Sequence, residues 1–77
     1  MSVSSVVSFD TTYAIRVDDA SPTVTYVGEA AIKSSEAAPV WRIKKLETVG
    51  SVFSITWADG TMSFNNVWDN RAALSYS

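Results

Sequence analysis

Carboxylate and amide side chains are the groups in this sequence best suited to binding a metal ion. Asp18, Asp19, Asp59, Asp69 and Asn70 offer the oxygen ligands that calcium takes. Their spacing matches no calcium-binding loop, and Asp59 belongs to an Asp-Gly dipeptide that favours a tight turn. We therefore expect no bound metal.

The residue types that the sequence lacks argue against catalysis. Its 77 residues include no cysteine and no histidine. Their absence removes a thiol nucleophile, a disulfide or zinc framework and the commonest general base. No spacing among the eight acidic residues brings two of them together as an acid–base pair. We therefore expect a protein that is not an enzyme and needs no cofactor.

The charge balance offers no general attraction to nucleic acid, because six basic and eight acidic residues give a net charge of −2. A basic strip of Arg42, Lys44 and Lys45 on the outward face of a strand is the local exception. Such a strip protects the edge of a sheet against aggregation. The alternative is an accessory protein that binds a nucleic acid or a host macromolecule through this strip.

Length and hydropathy predict one domain, in which residues 1–22 form an N-terminal arm and first strand and residues 23–77 a small β domain. At this size a single core buries only roughly 60 to 65% of the surface of the unfolded chain. No apolar run approaches the roughly 18 residues that cross a bilayer. We therefore expect a soluble protein with no membrane partner.

Apolar residues recur with a period of two, which is typical of half-buried strands. Tyr13, Ile15 and Val17 alternate with polar residues, and turn-forming residues then lead into a second strand over residues 23–27. These two strands predict a hairpin. Residues 29–39 lack the alternation and predict a long loop.

The next strand covers residues 40–47 and ends near a turn at Gly50. Trp41 and Ile43 share one face of this strand. Leu46 falls on the other face, so either it lies beyond the strand or a bulge resets the phase before it.

Residues 52–64 give the strongest local signal, a hairpin closed by a type I′ turn at Asp59 and Gly60. The register that follows from this turn matches apolar with apolar and hydroxyl with hydroxyl residues. The predicted pairs are Ala58 with Thr61, Trp57 with Met62, Thr56 with Ser63 and Ile55 with Phe64.

Beyond this hairpin the spacing predicts one short helical turn around Trp68. Asn65 or Asn66 would cap its start, and Asn70 would end it in the left-handed conformation. Residues 74–77 alternate again and predict a final strand. The whole pattern predicts a mainly β fold, a small antiparallel, partly open barrel or sandwich of five to six strands with that helical turn near the C-terminus. The predicted core is Tyr13, Ile15, Tyr26, Trp41, Ile43, Phe53, Ile55, Trp57, Met62 and Phe64.

Two groups of residues are candidates for an interface. Trp68, Asn70 and Arg71 have the composition of an interaction hot spot, although Trp68 could instead plug the open end of the domain. In the N-terminal arm, an extended apolar stretch suits strand addition to a neighbour, and Val6, Val7 and Phe9 are its candidates.

Four motifs stand out along the chain: YVGEA at residues 26–30, VWRIKK at 40–45, WADG at 57–60 and the stretch from FNNVWDNRA to SY at 64–76. Together they resemble a family of small β domains encoded among the virion genes of tailed bacteriophages. Pro39 departs from the small residues usual there, and residues 1–22 have no counterpart. The resemblance implies a non-enzymatic structural protein of a virion, assembled in the host cytoplasm. It would decorate the capsid or be built into the tail, fibre or baseplate, with other virion proteins and further copies of itself as partners.

Overall fold

A computed structural model describes residues 13–77 of the chain. The candidate interface residues Val6, Val7 and Phe9 lie outside the described residues. Five strands and one 3-10 helix follow in order: β1 Tyr13–Ser21, β2 Val24–Ala31, β3 Pro39–Val49, β4 Val52–Trp57, β5 Asn66–Val67 and the helix Trp68–Ala73.

The strands form an open antiparallel sheet in the order β1-β2-β3-β4, and β5 pairs with the first residues of β3. The mainly β class, the five antiparallel strands and the short helix near the C-terminus are as predicted. So is the β1–β2 hairpin, in which Tyr13 pairs with Ala31 and Val17 with Val27. Its turn lies at Pro22 and Thr23, where proline fixes one backbone angle in advance.

β2 is longer than predicted, because it continues through Glu29 and Ala30 to Ala31. The expected loop of residues 29–39 is therefore confined to residues 32–38. Gly28 and Ala30 are buried on one face, and such small side chains give a weak hydropathy signal. The predicted length of β2 is therefore too short, because its last core-facing residues are small.

β3 runs without interruption from residue 39 to residue 49, so both explanations offered for Leu46 are wrong. Lys45 pairs with Tyr26 and Leu46 with Thr25, in unbroken register. No bulge separates Leu46 from Lys44, and the two side chains share a face. This face carries apolar residues as well as charged ones.

The turn predicted at Asp59 and Gly60 is present, but the second strand of that hairpin is not. Both residues have positive φ, 58° and 66°, as a type I′ turn requires. Residues 61–65 then leave the sheet. In their place, Ser77 pairs with Trp57: the Trp57 N–H donates to the Ser77 carbonyl, and the Ser77 N–H donates to the Trp57 carbonyl, both at 3.1 Å.

The chain end takes this position because it covers the face of the sheet that holds the core. The core consists of Ala30, Trp41, Ile43 and Ala58 from the sheet and of Trp68 from the helix. Leu74 and Tyr76 pack against it. Pairing the chain end with β4 therefore buries apolar area that a local hairpin would leave uncovered.

The helix also differs in detail from the prediction. It begins after Val67, with no side-chain cap, and continues past Asn70 to Ala73. Asn66 lies buried in β5 instead of capping the helix. The amide of Asp69 is satisfied by the carbonyl of Glu36 in the 32–38 loop, at 3.1 Å. The predicted final strand is reduced to a single bridge between Ala58 and Tyr76.

The predicted core is right for Trp41 and Ile43, which are fully buried. Tyr26 is half-buried and packs against this core. The prediction is wrong for four residues, which are exposed: Met62 and Phe64 lie in the segment that leaves the sheet, and Phe53 and Ile55 lie on the open side of the sheet. Tyr13, Ile15 and Trp57 are half-buried on that same side.

Candidate functional site

The face of the sheet that carries Trp41 and Ile43, here called the inner face, is closed by the helix and the chain end. Trp68 is only 4% exposed, and its ring lies 6.0 Å from that of Trp41. A Cβ at Gly28 would stand 2.6 Å from Cε3 of Trp68, so the indole rests on bare backbone. Trp68 therefore seals the inner face, which is the alternative to an interface role that the sequence left open.

Arg71 is also committed to the fold. Its Nε donates to Oδ2 of Asp18 at 2.9 Å, and one terminal nitrogen donates to the carbonyl of Trp68 at 3.1 Å. The guanidinium lies 4.5 Å from the centre of the Trp68 ring. The Tyr76 hydroxyl donates to the Arg71 carbonyl at 2.8 Å. Of the predicted C-terminal interface residues, Asn70 alone is exposed.

The opposite side of the sheet, here called the outer face, is the candidate site. Alternation along each strand and the observed register fix its members. They are Tyr13, Ile15 and Val17 of β1; Thr25, Val27, Glu29 and Ala31 of β2; Arg42, Lys44, Leu46 and Thr48 of β3; and Phe53, Ile55 and Trp57 of β4.

Large apolar side chains of the outer face are open to solvent. Phe53 is 61% exposed, Ile55 55% and Val17 37%. Their cross-strand neighbours Val27 and Leu46 are half-buried. Because neighbouring strands contribute these residues side by side, they form a continuous patch, the kind of surface that marks an interaction site.

Two cations stand in the middle of the outer face and lie over its aromatic rings. Arg42 donates to Oε1 of Glu29 at 2.8 Å and lies 5.3 Å and 4.6 Å from the ring centres of Tyr13 and Phe64. Lys44 lies 5.6 Å from the ring centre of Trp57 and has no ion-pair partner among residues 13–77. The Asp19 carboxylate accepts a hydrogen bond from the outer-face Thr25 hydroxyl at 2.6 Å, so two acidic and two basic groups balance on this face.

An open cleft of about 370 Å³ lies at the end of this face. The rings of Tyr13 and Phe64, stacked at 5.6 Å, form part of it together with Ala31 and Val40. Ser34 also lines the cleft, but its hydroxyl already donates to the Ala31 carbonyl at 2.6 Å. The cleft therefore suits an apolar side chain better than a polar ligand.

The predicted basic strip is divided between the two faces. Arg42 and Lys44 lie on the outer face, whereas Lys45 lies on the inner face beside Glu47 and over the ring of Tyr76. The prediction of one strip is wrong because β3 has no bulge between Lys44 and Lys45. The phosphate backbone of a nucleic acid would thus meet two of these cations, both already engaged with protein groups.

The titratable groups of the described residues show one absence and two shifted pKa values. No group of three or more potential metal ligands occurs within residues 13–77. A hydrogen bond from the Thr25 hydroxyl lowers the pKa of Asp19, and burial raises the pKa of Tyr76 to about 12. Hydrogen bonding accounts for the first shift and burial for the second. The described residues also include no helix of the length and hydropathy that a membrane span requires.

Sequence reasoning missed the outer face because it assigned the aromatic residues of β1, β3 and β4 to a single core. The out-of-phase Leu46 was the available signal, since an apolar residue on the face of Lys44 indicates that both faces of β3 are apolar.

The fold and the outer face together define a small open β-sheet domain with one covered and one exposed face. No family model, curated protein or solved structure matches the chain.

Proposed function

We propose that this protein is a non-enzymatic structural component of a tailed-phage virion and acts through protein–protein contacts made by its outer face. The exposed apolar patch of Val17, Phe53 and Ile55 carries the proposal. The four sequence motifs that resemble virion-gene domains supply the setting, in capsid decoration or in the tail, fibre or baseplate.

The patch supports an interaction role because a stable sheet normally buries its apolar face against a second layer. Here the helix and chain end provide that layer for the inner face only. Burial of apolar surface stabilises a protein by roughly 25 cal/mol for each Å², and an isolated copy that leaves Phe53 and Ile55 in water lacks this stabilisation. Contact with other virion proteins, or with further copies of this chain, would supply it.

The nucleic-acid alternative depends on a strip of three adjacent cations, and that strip is divided. Arg42 is paired with Glu29, and Lys45 with Glu47 on the other face. The rings beside Arg42 and Lys44 are in contact with those cations. These contacts favour a protein partner over a phosphate backbone.

Substitution of the patch in the encoding phage tests the proposal. Phe53→Ser with Ile55→Ser should leave the circular dichroism spectrum and the folding of the purified protein intact, since both side chains are exposed. Mass spectrometry of purified virions should then show at least tenfold less of the double variant than of the wild-type protein.

Val52→Ser is the matched control, because this residue is 60% exposed on the same strand but belongs to the opposite face. It should enter virions normally. Absence of the wild-type protein from purified virions, or undiminished incorporation of the double variant, would refute the proposal.

A further inference from the structure

We propose that the free edge of β4 pairs antiparallel with β4 of a second copy, so that two sheets join into one across a twofold axis. This inference deepens the proposed function and rests on it for the setting alone. It identifies the partner of this sheet edge as the same edge of a second copy of the chain.

The backbone of β4 directs hydrogen-bonding groups away from β3, towards the edge of the described sheet. The N–H and carbonyl of Trp57 point that way, because both bond Ser77. The register with β3 is unbroken from Val52 to Trp57, and bonding direction alternates along a strand. The N–H and carbonyl groups of Phe53 and Ile55 therefore point to the same edge. No backbone hydrogen bond from residues 13–77 reaches them on that side.

The side chains of β4 give this edge no protection against strand addition. Sheets commonly guard an exposed edge with charged side chains or proline. β1, at the opposite end of the described sheet, carries Arg16, Asp18 and Asp19. β4 has the sequence VFSITW, with neither a charge nor a proline, and both Val52 and Phe53 are exposed. An edge of this kind is a template for pairing with another strand.

Ser77 limits the register that two antiparallel β4 strands can adopt. Both outer faces stay on one side of the joined sheet when each residue faces a residue of its own face. With the axis at Phe53, this residue faces Phe53 of the second copy, and Val52 faces Ser54. The two Phe53 residues then exchange both of their backbone hydrogen bonds. Moving the second strand two residues towards Trp57 would bring its Val52 against Ser77, which already pairs there.

Side-chain packing and electrostatics both favour this self-pairing. Phe53 meets its own copy on the outer face, and directly opposed aromatic side chains stabilise a pair of strands. The charged residue of β3 nearest to the junction is Glu47, which pairs with Ser54. Its two copies would lie at least three strand spacings apart, which is about 14 Å. This separation exceeds the Debye length of about 8 Å at physiological salt, so little repulsion opposes the pairing.

The pairing would also enlarge the apolar patch that the proposed function uses. A twofold axis perpendicular to the sheet leaves the outer faces of both copies on the same side. Phe53 and Ile55 of the two copies then lie side by side at the centre of one joined sheet. The dimer would therefore present to other virion proteins a surface about twice as large as that of one copy.

Disulfide formation between single-cysteine chains tests the register, and the absence of native cysteine makes each variant unambiguous. Directly paired residues have Cα atoms about 5.5 Å apart, within the reach of a disulfide. Under mild oxidation, Phe53→Cys should form at least fivefold more covalent dimer than Val52→Cys or Ile55→Cys. These two residues are similarly exposed, but their Cα atoms in the two copies would lie more than about 7 Å apart. Equal yields at the three positions would overturn the proposal.

Light scattering measures the pairing without cysteine, and the wild-type protein should be a dimer. Phe53→Pro should be a folded monomer by circular dichroism and light scattering. Proline removes the N–H that would bond the second copy and no hydrogen bond to β3. Phe53→Leu is the matched control, because it keeps the N–H and a large apolar side chain, and it should remain a dimer. A wild-type monomer at every concentration tested, or a Phe53→Pro variant that dimerises as strongly as Phe53→Leu, would contradict strand pairing.

These results separate the two proposals. A dimer with the selective disulfide, formed by a protein that is absent from virions, would uphold strand pairing and refute the virion role. Incorporation into virions that depends on Phe53 and Ile55, by a protein that is monomeric and gives no selective disulfide, would uphold the virion role and refute strand pairing.

Discussion

Gly28 and Trp68 touch across the inner face, where the indole of Trp68 lies directly on the backbone of Gly28. A Cβ at position 28 would stand 2.6 Å from Cε3 and 2.7 Å from Cζ3 of Trp68, and 3.3 Å from Cε3 of Trp41. This contact fixes how closely the helix approaches β2. The closure of the inner face, which leaves the outer face as the exposed one, therefore depends on the absence of a side chain at one position.

Gly28→Ala should destabilise the protein by about 2 kcal/mol, because the added methyl group overpacks a site closed by two rings. Chemical denaturation measures the change. Gly28→Ala combined with Trp68→Phe should cost less than the sum of the two single changes, because phenylalanine lacks the second ring of the indole. Strict additivity would contradict the contact.

Asp18→Asn should lower the free energy of unfolding by about 1 kcal/mol, because it removes the charge that holds the Arg71 guanidinium against Trp68. Glu36→Gln is the control. Its partner Arg16 and Glu36 itself are 41% and 45% exposed, and such pairs contribute about 0.5 kcal/mol or less. Thermal and chemical denaturation measure both variants. If Asp18→Asn lowered the free energy of unfolding no more than Glu36→Gln does, the Asp18–Arg71 pair would contribute no more than an exposed pair.

Stability should fall as the pH rises from about 10 to about 12. Burial raises the pKa of Tyr76 from 10.0 to about 12, so the folded state keeps a proton that the unfolded chain loses in this range. Because the hydroxyl is only half-buried, we expect a loss on the order of 1 kcal/mol. Denaturation at a series of pH values measures it. Tyr76→Phe should flatten this decline, whereas Tyr13→Phe should preserve it; an unchanged decline in Tyr76→Phe would assign the effect to other groups.

Asp59→Val should cost about 1 to 2 kcal/mol, because residue 59 has a φ of 58° that a β-branched residue adopts only with strain. Asp59→Asn should change the free energy of unfolding by less than about 0.5 kcal/mol, since asparagine tolerates the left-handed region. Thermal unfolding compares the two variants directly. If valine were as well tolerated as asparagine, the turn would not require positive φ here.

Features set by neighbouring residues were the ones that could be predicted from the sequence. The β1–β2 hairpin, the turn at Gly50 and the turn at Asp59 and Gly60 each depend on the local preferences of a few residues. The alternation that buries Trp41 and Ile43 is equally local. The motifs that resemble virion-gene domains also belong to the sequence, and the virion role that they imply stays a prediction.

The candidate site could not be predicted, because it depends on which segments cover the sheet. Phe53 and Ile55 alternate as regularly as the core residues of β3, and nothing local separates a covered face from an exposed one. Leu46 indicated that β3 is apolar on both faces. It did not indicate which face the chain end would cover.

The sequence by itself determined the positions of β1, β3 and β4, the turns that follow β1, β3 and β4, and the absence of cysteine and histidine chemistry, because these follow from residue type and from neighbours along the chain. The tertiary structure alone decided that Ser77, and not Met62, pairs with Trp57. That choice depends on burying Trp68 and Tyr76 against residues far away in sequence, a gain in apolar burial that outweighs the local preference for a hairpin. The same choice left Phe53 and Ile55 uncovered and so created the outer face.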